Sequence, residues 1–322
     1  MAIAAGVLAA VVAVGAGWGA LGPGPAALPA GATTTTVVVG GGLGGVARAL
    51  NAAGVIKGPL AFEGLAFVTG ASRHLKAGEY DIPSRASLYR ILSMIRRGAV
   101  VRHFVTIPEG LTSAAAAEVL RRAPFLEGPV GLPPEGSLLP ETYEVRRGEA
   151  RSQVIARMSS AEDRLLERLW RDRALGLPYA TPRQAVILAS VVEKETALQR
   201  ERPRIAAVFI NRLRKGMRLE SDPTVIYGLS GGVPLGRGLK ASELASTSPY
   251  NSYRVSGLPP TPIANPGRAA LEAALRPANT DDLFFVADGS GGHAFASTFE
   301  AHRRNVAHWR IVEHDRSTRS GS

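Results

Sequence analysis

The sequence predicts an α+β protein in three parts, namely an N-terminal membrane helix, a small mixed α/β module and a larger α/β domain. The first residues are apolar and uncharged, the next part mixes strand-like segments with amphipathic helices, and the rest is mainly helical with a late hairpin. A chain of 322 residues is long enough to form two domains with packed cores.

The N-terminal segment carries no charged side chain from Ala2 to Leu21. An apolar run of about 20 residues is enough for a helix to span a bilayer, and Trp18 stands near one end, where interfacial tryptophans are common. We therefore predict a transmembrane anchor over residues 1–22 and a linker over residues 23–32. A cleaved signal peptide is the alternative, because Ala30-Gly31-Ala32 offers small residues to a peptidase. Both interpretations place the rest of the chain outside the cytoplasm.

The formal net charge of +11 favours polyanionic surroundings. The arginines are scattered, mostly as pairs, without a basic arm or an aromatic-studded strip, so the sequence predicts no nucleic-acid binding. The absence of cysteine from the sequence excludes disulfides and thiolate metal sites. Because His293, His302 and His308 lack the spacing of metal ligands, we predict no metal and no cofactor.

Hydrophobic periodicity and turn residues divide the chain into elements. In the module, predicted over residues 33–105, they indicate strands at 33–39, 78–82 and 100–107 and helices at 45–53, 61–69 and 88–97. In the larger domain, predicted over residues 106–315, they indicate helices at 113–122, 151–173, 182–198, 202–215, 269–275 and 299–311, and a hairpin from 283–287 and 293–295. Residues 316–322 are predicted to be a disordered tail.

The helix predicted over 182–198 has the clearest start. Thr181 can cap it, Pro182 suits the first helical position, and Gln184 completes a capping box. At 100° per residue, one apolar stripe of this helix comprises Ala185, Leu188, Val191, Val192 and Leu198.

Glu195 projects from near the middle of this stripe, whereas Glu193 points to the opposite side. Burial disfavours the ionised carboxylate, so the pKa of Glu195 should rise toward the range that a general acid needs near neutral pH. Glu195 is therefore the candidate acid, with Glu193 as second choice. The alternative is structural, since Glu195 could pair with Arg204 or Arg212 of the next helix.

A long loop region contains Ser248–Tyr253 and Gly257–Gly267, both rich in Pro, Asn and Tyr. Aromatic rings stack on sugar CH groups, and Asn and Ser side chains bind hydroxyls, so this composition suits a glycan-binding surface. A purely structural loop is the alternative.

Several motifs resemble the YceG-like family, the MltG-type endolytic murein transglycosylases. They follow one another from about Thr106 to Trp309 and read ILASVVEKET (187–196), VFINRLRKGMRLESDPTVIY (208–227), SPYNSY (248–253), GLPPTPIANPG (257–267) and FVADGSGGHAFASTFEAH (285–302), with IPEGLT and LLPETYEV before them. The membrane helix and a LysM-like module in front of the catalytic domain also resemble the layout of that family.

The resemblance implies an enzyme that cleaves peptidoglycan between N-acetylmuramic acid and N-acetylglucosamine without water and leaves 1,6-anhydro-muramyl ends. It implies a single-pass protein of the bacterial plasma membrane with an extracytoplasmic catalytic domain, acting beside a peptidoglycan synthase to set strand length. One glutamate of the EKET-type motif is catalytic in that family, and this maps onto Glu195. Candidates for holding the glycan are Asn211, Asp222, Thr224, Tyr227, Tyr250, Asn251 and Asn265. Rival hypotheses are a hydrolytic muramidase and a non-catalytic peptidoglycan-binding scaffold.

Overall fold

A computed structural model describes residues 17, 19–25 and 32–320, with side chains described as far as residue 314. Most of the predicted membrane anchor, residues 1–22, lies outside these residues. Within the part of the chain that is described, no helix is both long and apolar enough to cross a bilayer. The chain divides into two compact units, one of residues 1–104 with 144–149 and one of residues 105–143 with 150–322.

The first unit packs three helices against a two-stranded sheet. Its strands are β1 (Thr34–Val39) and β2 (Gly78–Pro83), and its helices are α1 (Leu43–Ala52), α2 (Pro59–Val68) and α3 (Leu88–Arg97), with a short 3₁₀ turn at Ala71–Arg73. The strands are antiparallel, with Val37 opposite Tyr80. Side chains alternate between the two faces of β1, so Val37 and Val39 both point into a core that also contains Phe62 and Tyr80.

The second unit is mainly helical. Its helices are α4 (Ser113–Arg122), α5 (Arg151–Arg171), α6 (Pro182–Glu195), α7 (Arg202–Arg214), α8 (Asp222–Ser230), α9 (Ala241–Leu244), α10 (Arg268–Leu275) and α11 (Phe299–Ser320), with a 3₁₀ turn at Gln199–Glu201. Its short strands are β4 (Leu126–Glu127), β7 (Phe284–Ala287) and β8 (His293–Ala296). Each of the strands β3 (His103–Thr106), β5 (Thr142–Val145) and β6 (Glu149–Ala150) has residues in both units. Short sheets among many helices confirm the predicted α+β class.

Helix α6 lies at the centre of the second core. Every residue from Ala185 to Val192 is buried, and α6 packs against α7 and α10. The prediction of a single apolar stripe is therefore wrong, because neighbours enclose both sides of the helix. The Thr181–Gln184 capping box is present, with Thr181 Oγ1 accepting from the Gln184 N–H at 3.3 Å and Gln184 Oε1 accepting from the Thr181 N–H at 3.1 Å.

We expect Thr181→Ala to lower the free energy of unfolding by about 1 kcal/mol, because the first turn of α6 loses a side-chain acceptor. Thr181→Ser keeps the hydroxyl and is the matched control. Chemical denaturation of both variants measures the difference, and equal stability of the two would contradict a role for this cap.

Most element boundaries lie within three residues of the predicted ones, and the C-terminal ends of α6 and α11 are two that differ. Helix α6 ends at Glu195 rather than near Leu198, because Thr196 adopts an extended conformation and its hydroxyl accepts the Leu198 N–H at 3.0 Å. Helix α11 continues to Ser320, through part of the predicted tail, since neither Gly nor Pro interrupts the sequence from Phe299 to Ser320. The first difference matters most, because it places Glu195 at a helix end.

Candidate active site

Glu195 stands at the C-terminal end of α6 and faces a cavity of about 320 Å³. Four parts of the second unit supply the remaining walls: helix α7, the segment before and at the start of α8, the loop at Tyr253, and the hairpin with α11. The lining residues are Val208, Arg212, Leu219, Glu220, Asp222, Tyr253, Leu283, Phe284, Phe285 and His302. A partly apolar cleft that contains a few polar and acidic side chains is a common form of catalytic site.

Burial raises the pKa of Glu195 to about 7. The Ser221 hydroxyl, which donates to Glu195 Oε1 at 2.5 Å, acts in the opposite direction, and the neighbouring Asp222 carboxylate raises the pKa further. The negative end of the α6 dipole also disfavours a carboxylate at this position. Among the described residues no basic side chain forms an ion pair with Glu195, so the carboxyl can carry its proton near neutral pH.

The structural alternative, an ion pair of Glu195 with Arg204 or Arg212, is absent from the described residues. Arg204 pairs with Asp282, and Arg212 pairs with Glu220. Both arginines named as partners for Glu195 are thus engaged elsewhere.

Glu193 is the glutamate that forms a buried ion pair. Its side chain is 4% exposed and bonds to Arg202 Nη2 at 2.7 Å, while its other oxygen accepts the Gly267 N–H at 2.9 Å. Arg202 also contacts Glu109 at 3.1 Å. The loop at Gly267 covers the side of α6 to which Glu193 points, so this side is buried as well. Glu193 therefore connects α6, α7 and this loop.

Ser221 is the contact of Glu195 that sequence reasoning missed. Its N–H donates to Ser252 Oγ at 2.9 Å, and Ser252 Oγ also bonds to Thr224 Oγ1 at 2.7 Å. The preceding residue, Glu220, has a left-handed φ of +55°, which a non-glycine residue adopts only when its surroundings enforce it. A serine directly before Asp222-Pro223, the typical start of a helix, was the sequence signal that could have identified it.

Arg212 holds the left-handed residue in place. Its guanidinium bonds to the Glu220 carboxylate, to the Arg218 carbonyl and, at 3.1 Å, to the Leu283 carbonyl. The Glu220 N–H donates to the Ser252 carbonyl at 3.2 Å. These contacts fix the backbone directly before Ser221, whose own N–H bonds to Ser252, and so aim its hydroxyl at Glu195.

We expect Ser221→Ala to raise the pKa of Glu195, because the hydrogen bond that it removes favours the ionised form. The alkaline limb of the activity profile should move up by about one pH unit, with a loss in kcat of less than roughly tenfold. Ser230→Ala is the matched control, since its hydroxyl bonds only to main-chain carbonyls at the end of α8. A pH profile shows the difference, and an unchanged limb in Ser221→Ala would contradict this role.

The far wall of the cavity comes from the C-terminal part of the unit. Phe284 of β7 stacks on His302 of α11 with ring centroids 5.1 Å apart and an interplanar angle of 19°. Tyr253 donates its hydroxyl to Asp222 Oδ1 at 2.7 Å. Sequence reasoning did not select Tyr253, Phe284 or His302, because only the fold brings them next to Glu195.

Of the seven predicted glycan-binding residues, only Asp222 lines the cavity with Glu195. Tyr227 and Tyr250 lie together elsewhere, with ring centroids 5.0 Å apart, and Tyr227 donates to Glu135 Oε2 at 3.2 Å. Asp222 therefore lies within reach of a molecule bound in the cavity, whereas Tyr227 and Tyr250 do not line the cavity.

The other four predicted residues bond to the protein itself. Thr224, Asn251 and Asn265 are fully buried, and Asn251 Nδ2 donates to the Leu244 and Ser246 carbonyls at 2.9 and 2.8 Å. Asn211 Nδ2 donates to the Thr280 and Asp282 carbonyls at 2.7 and 3.1 Å. In this conformation they hold loops, and their contact with glycan stays a prediction.

The proline-rich loop is largely an interior element. Residues 262–267 are buried, and the Ile263 N–H donates to Ser190 Oγ of α6 at 3.0 Å. Asn265 exchanges main-chain bonds with the turn before α4, at Gly110 and Leu111. The alternative of a purely structural loop therefore describes this end of the loop. A β-carbon at position 267 would displace the end of the Glu109 side chain.

The fold and the cavity define an α+β protein with a cleft in which one of the lining carboxyls, that of Glu195, has a pKa raised by burial. A model of the YceG-like family matches residues 35–308, and the chain belongs to this family. The family resemblance seen in the sequence motifs is thereby confirmed.

Relatives agree with this assignment. An endolytic murein transglycosylase of Bacillus subtilis (strain 168) is 30% identical over 291 residues, which cover 80% of this chain and 79% of that protein. One of Streptococcus pneumoniae serotype 2 (strain D39) is 28% identical over 311 residues, which cover 81% of this chain and 55% of its own length. A crystal structure of a yceG-like protein of Listeria monocytogenes matches with a TM-score of 0.55 and 28% identity, over 84% of this chain and 98% of that chain.

Proposed function

We propose that this chain is an endolytic murein transglycosylase and that Glu195 is its catalytic acid and base. The names of its relatives support the activity. The observation that carries the choice of residue is a carboxyl that faces the cavity, with a pKa raised by burial to about 7 and no ion pair among the described residues. A carboxyl in this state can donate a proton near neutral pH and accept one afterwards.

In the first step, protonated Glu195 donates its proton to the oxygen of the bond between N-acetylmuramic acid and N-acetylglucosamine. The bond from C1 of the muramyl residue to this oxygen breaks, and C1 becomes oxocarbenium-like. The Asp222 carboxylate, oriented by the Tyr253 hydroxyl, stabilises this positive charge electrostatically.

In the second step, the C6 hydroxyl of the same muramyl residue attacks C1 and gives its proton to the Glu195 carboxylate. The Ser221 hydroxyl stabilises this carboxylate between the two steps. The products are a 1,6-anhydro-muramyl end and a free N-acetylglucosamine hydroxyl, and the acid is regenerated. One carboxyl serves both steps, so no second carboxylate has to act as nucleophile.

We also propose the cellular location and the domain arrangement that the family resemblance implies. The uncharged sequence from Ala2 to Leu21 would anchor the chain in the bacterial plasma membrane, and the first unit would serve as a LysM-like module. With its substrate on the extracytoplasmic side, the enzyme would terminate nascent glycan strands beside a peptidoglycan synthase.

Mass analysis of the cleaved strand ends tests the reaction. Purified chain incubated with isolated peptidoglycan should release fragments that end in 1,6-anhydro-muramyl residues, which are lighter than reducing ends by one water. Internal cleavage, which shortens long strands before small fragments accumulate, is expected as well. Reducing muramyl ends would establish the hydrolytic muramidase instead, and intact strands would favour the scaffold.

A further inference from the structure

Helix α2 of the first unit presents an apolar face to solvent. Leu60, Phe67 and Val68 are 80%, 78% and 84% exposed, at positions i, i+7 and i+8 of the helix. Phe62 and Ala66 fill the core on the other side. Large apolar side chains that cluster on one exposed helix face indicate an interaction surface rather than an ordinary solvated face.

A basic cup lies directly after the C-terminal end of this helix. Its volume is about 560 Å³, and the charged or titratable side chains among the described residues that line it are Arg73, His74, Lys76 and Arg96, all basic in type. These four residues are exposed. The cup starts at Gly70, two residues after Val68, so apolar and basic groups adjoin along the chain.

From this combination we propose that α2 and the basic cup dock on the surface of a bilayer that contains anionic lipids. Phe67 and Val68 would enter the boundary between headgroups and acyl chains, and Arg73, Lys76 and Arg96 would contact lipid phosphates. Apolar groups beside a basic cluster are the pattern of segments that lie in a membrane interface. An uncharged glycan would use the apolar side chains but would not require the arginines.

The position of the segment that leads into this unit supports docking of α2 on the bilayer. Gly19 and residues 22–25 line a second pocket together with Lys57, Gly58 and Ala61, at the start of α2. The segment that follows the apolar N-terminal sequence therefore lies beside α2. Lys57, two residues before the start of α2, is a further exposed basic residue of this unit.

Because the chain contains no cysteine, a single label can report on this surface in the full chain. Phe67→Cys carries an environment-sensitive fluorophore, and Leu175→Cys, at a site 95% exposed in the second unit, is the matched control. The labelled chain is reconstituted into vesicles of phosphatidylcholine with or without phosphatidylglycerol. A quencher on the lipid acyl chains and acrylamide in the water phase then compete for the label.

We expect the label at position 67, but not that at 175, to be quenched from the lipid and shielded from acrylamide when phosphatidylglycerol is present. Replacing Arg73, Lys76 and Arg96 together by Gln should lower the docking constant roughly a hundredfold, because each basic side chain contributes on the order of fivefold at an anionic surface. Replacing the exposed Arg200, Lys215 and Arg254 by Gln removes the same charge from the second unit and should change nothing.

Three outcomes would overturn the proposal. A label at position 67 that stays as open to acrylamide as the one at 175 would show that the face does not meet lipid. Equal immersion in vesicles without phosphatidylglycerol would remove the role of the basic cup. Loss of immersion when soluble polyphosphate is added, with the label then shielded from acrylamide, would identify a soluble polyanion as the ligand instead.

Discussion

The variant Glu195→Gln is expected to lose roughly 10²–10⁴-fold in kcat, because glutamine can neither donate the proton to the glycosidic oxygen nor take one from the C6 hydroxyl. The amide keeps the size of the side chain and still accepts from Ser221, so the cavity should keep its shape. Strand cleavage per folded molecule, measured on isolated peptidoglycan, gives the effect. Activity within threefold of the unchanged protein would remove Glu195 from the mechanism.

The same variant should be more stable than the unchanged protein at alkaline pH. The pKa of Glu195 is about 7 in the folded state and near 4.3 in an unfolded chain, so the folded state binds this proton more tightly. As pH rises from 4 to 7, the Glu195 carboxyl ionises first in the unfolded state, and the free energy of unfolding falls. Glutamine does not ionise, so the variant lacks this loss. The difference in unfolding free energy should grow by about 1–3 kcal/mol between pH 4 and pH 8, as measured by chemical denaturation.

Glu193→Gln is expected to have the opposite profile, with a stability loss of about 2–4 kcal/mol and nearly full activity in the molecules that fold. Removing one partner of a buried ion pair leaves the other charge without compensation. Arg202 is 5% exposed, and within the described part of the chain its Nε has no acceptor. Its remaining contact with Glu109 limits the loss.

Denaturation at pH 7, followed by cleavage assays corrected for the folded fraction, separates the two glutamates. Glu109→Gln is a milder comparison, since Glu109 is 37% exposed while Glu193 is 4% exposed. If Glu193→Gln were stable and inactive while Glu195→Gln stayed active, the assignment of the two residues would be reversed.

Local signals in the sequence predicted much of the fold. The helices Leu88–Arg97 and Ser113–Arg122 have the predicted boundaries. Each starts after a Ser or Thr cap whose hydroxyl accepts the main-chain N–H of the residue three positions later. The capping box at Thr181 is equally local. Caps and turns act over a few residues, so a single sequence is enough to reveal them.

The choice of Glu195 rested on a helical stripe that the structure does not contain. Because every residue of α6 from Ala185 to Val192 is buried, periodicity does not identify which of Glu195 and Glu193 meets a cavity. The two glutamates differ in their tertiary contacts. Arg202 and the Gly267 N–H bind the Glu193 carboxylate, whereas Glu195 contacts the Ser221 hydroxyl and faces the cavity. Helix phase cannot contain this information, since the partners come from distant parts of the chain.

The walls of the cavity were also beyond local reasoning. Phe284 and His302 follow Glu195 by many residues, and the aim of Ser221 depends on the left-handed Glu220 and on Arg212. The polar residues of the proline-rich loop suggested a glycan surface, but buried residues such as Asn265 support that loop from within. Composition indicates polarity, whereas burial decides whether a polar side chain meets a ligand or the protein.

The pH dependence of kcat/KM for peptidoglycan cleavage tests most directly whether one carboxyl of raised pKa starts the reaction. Only the protonated form of Glu195 can donate, and its pKa is about 7. We predict that kcat/KM falls tenfold for each pH unit above about 7, as expected for a single ionisation in the free enzyme. A profile that stays level or rises from pH 6 to pH 9 would contradict the proposal that Glu195 is the proton donor.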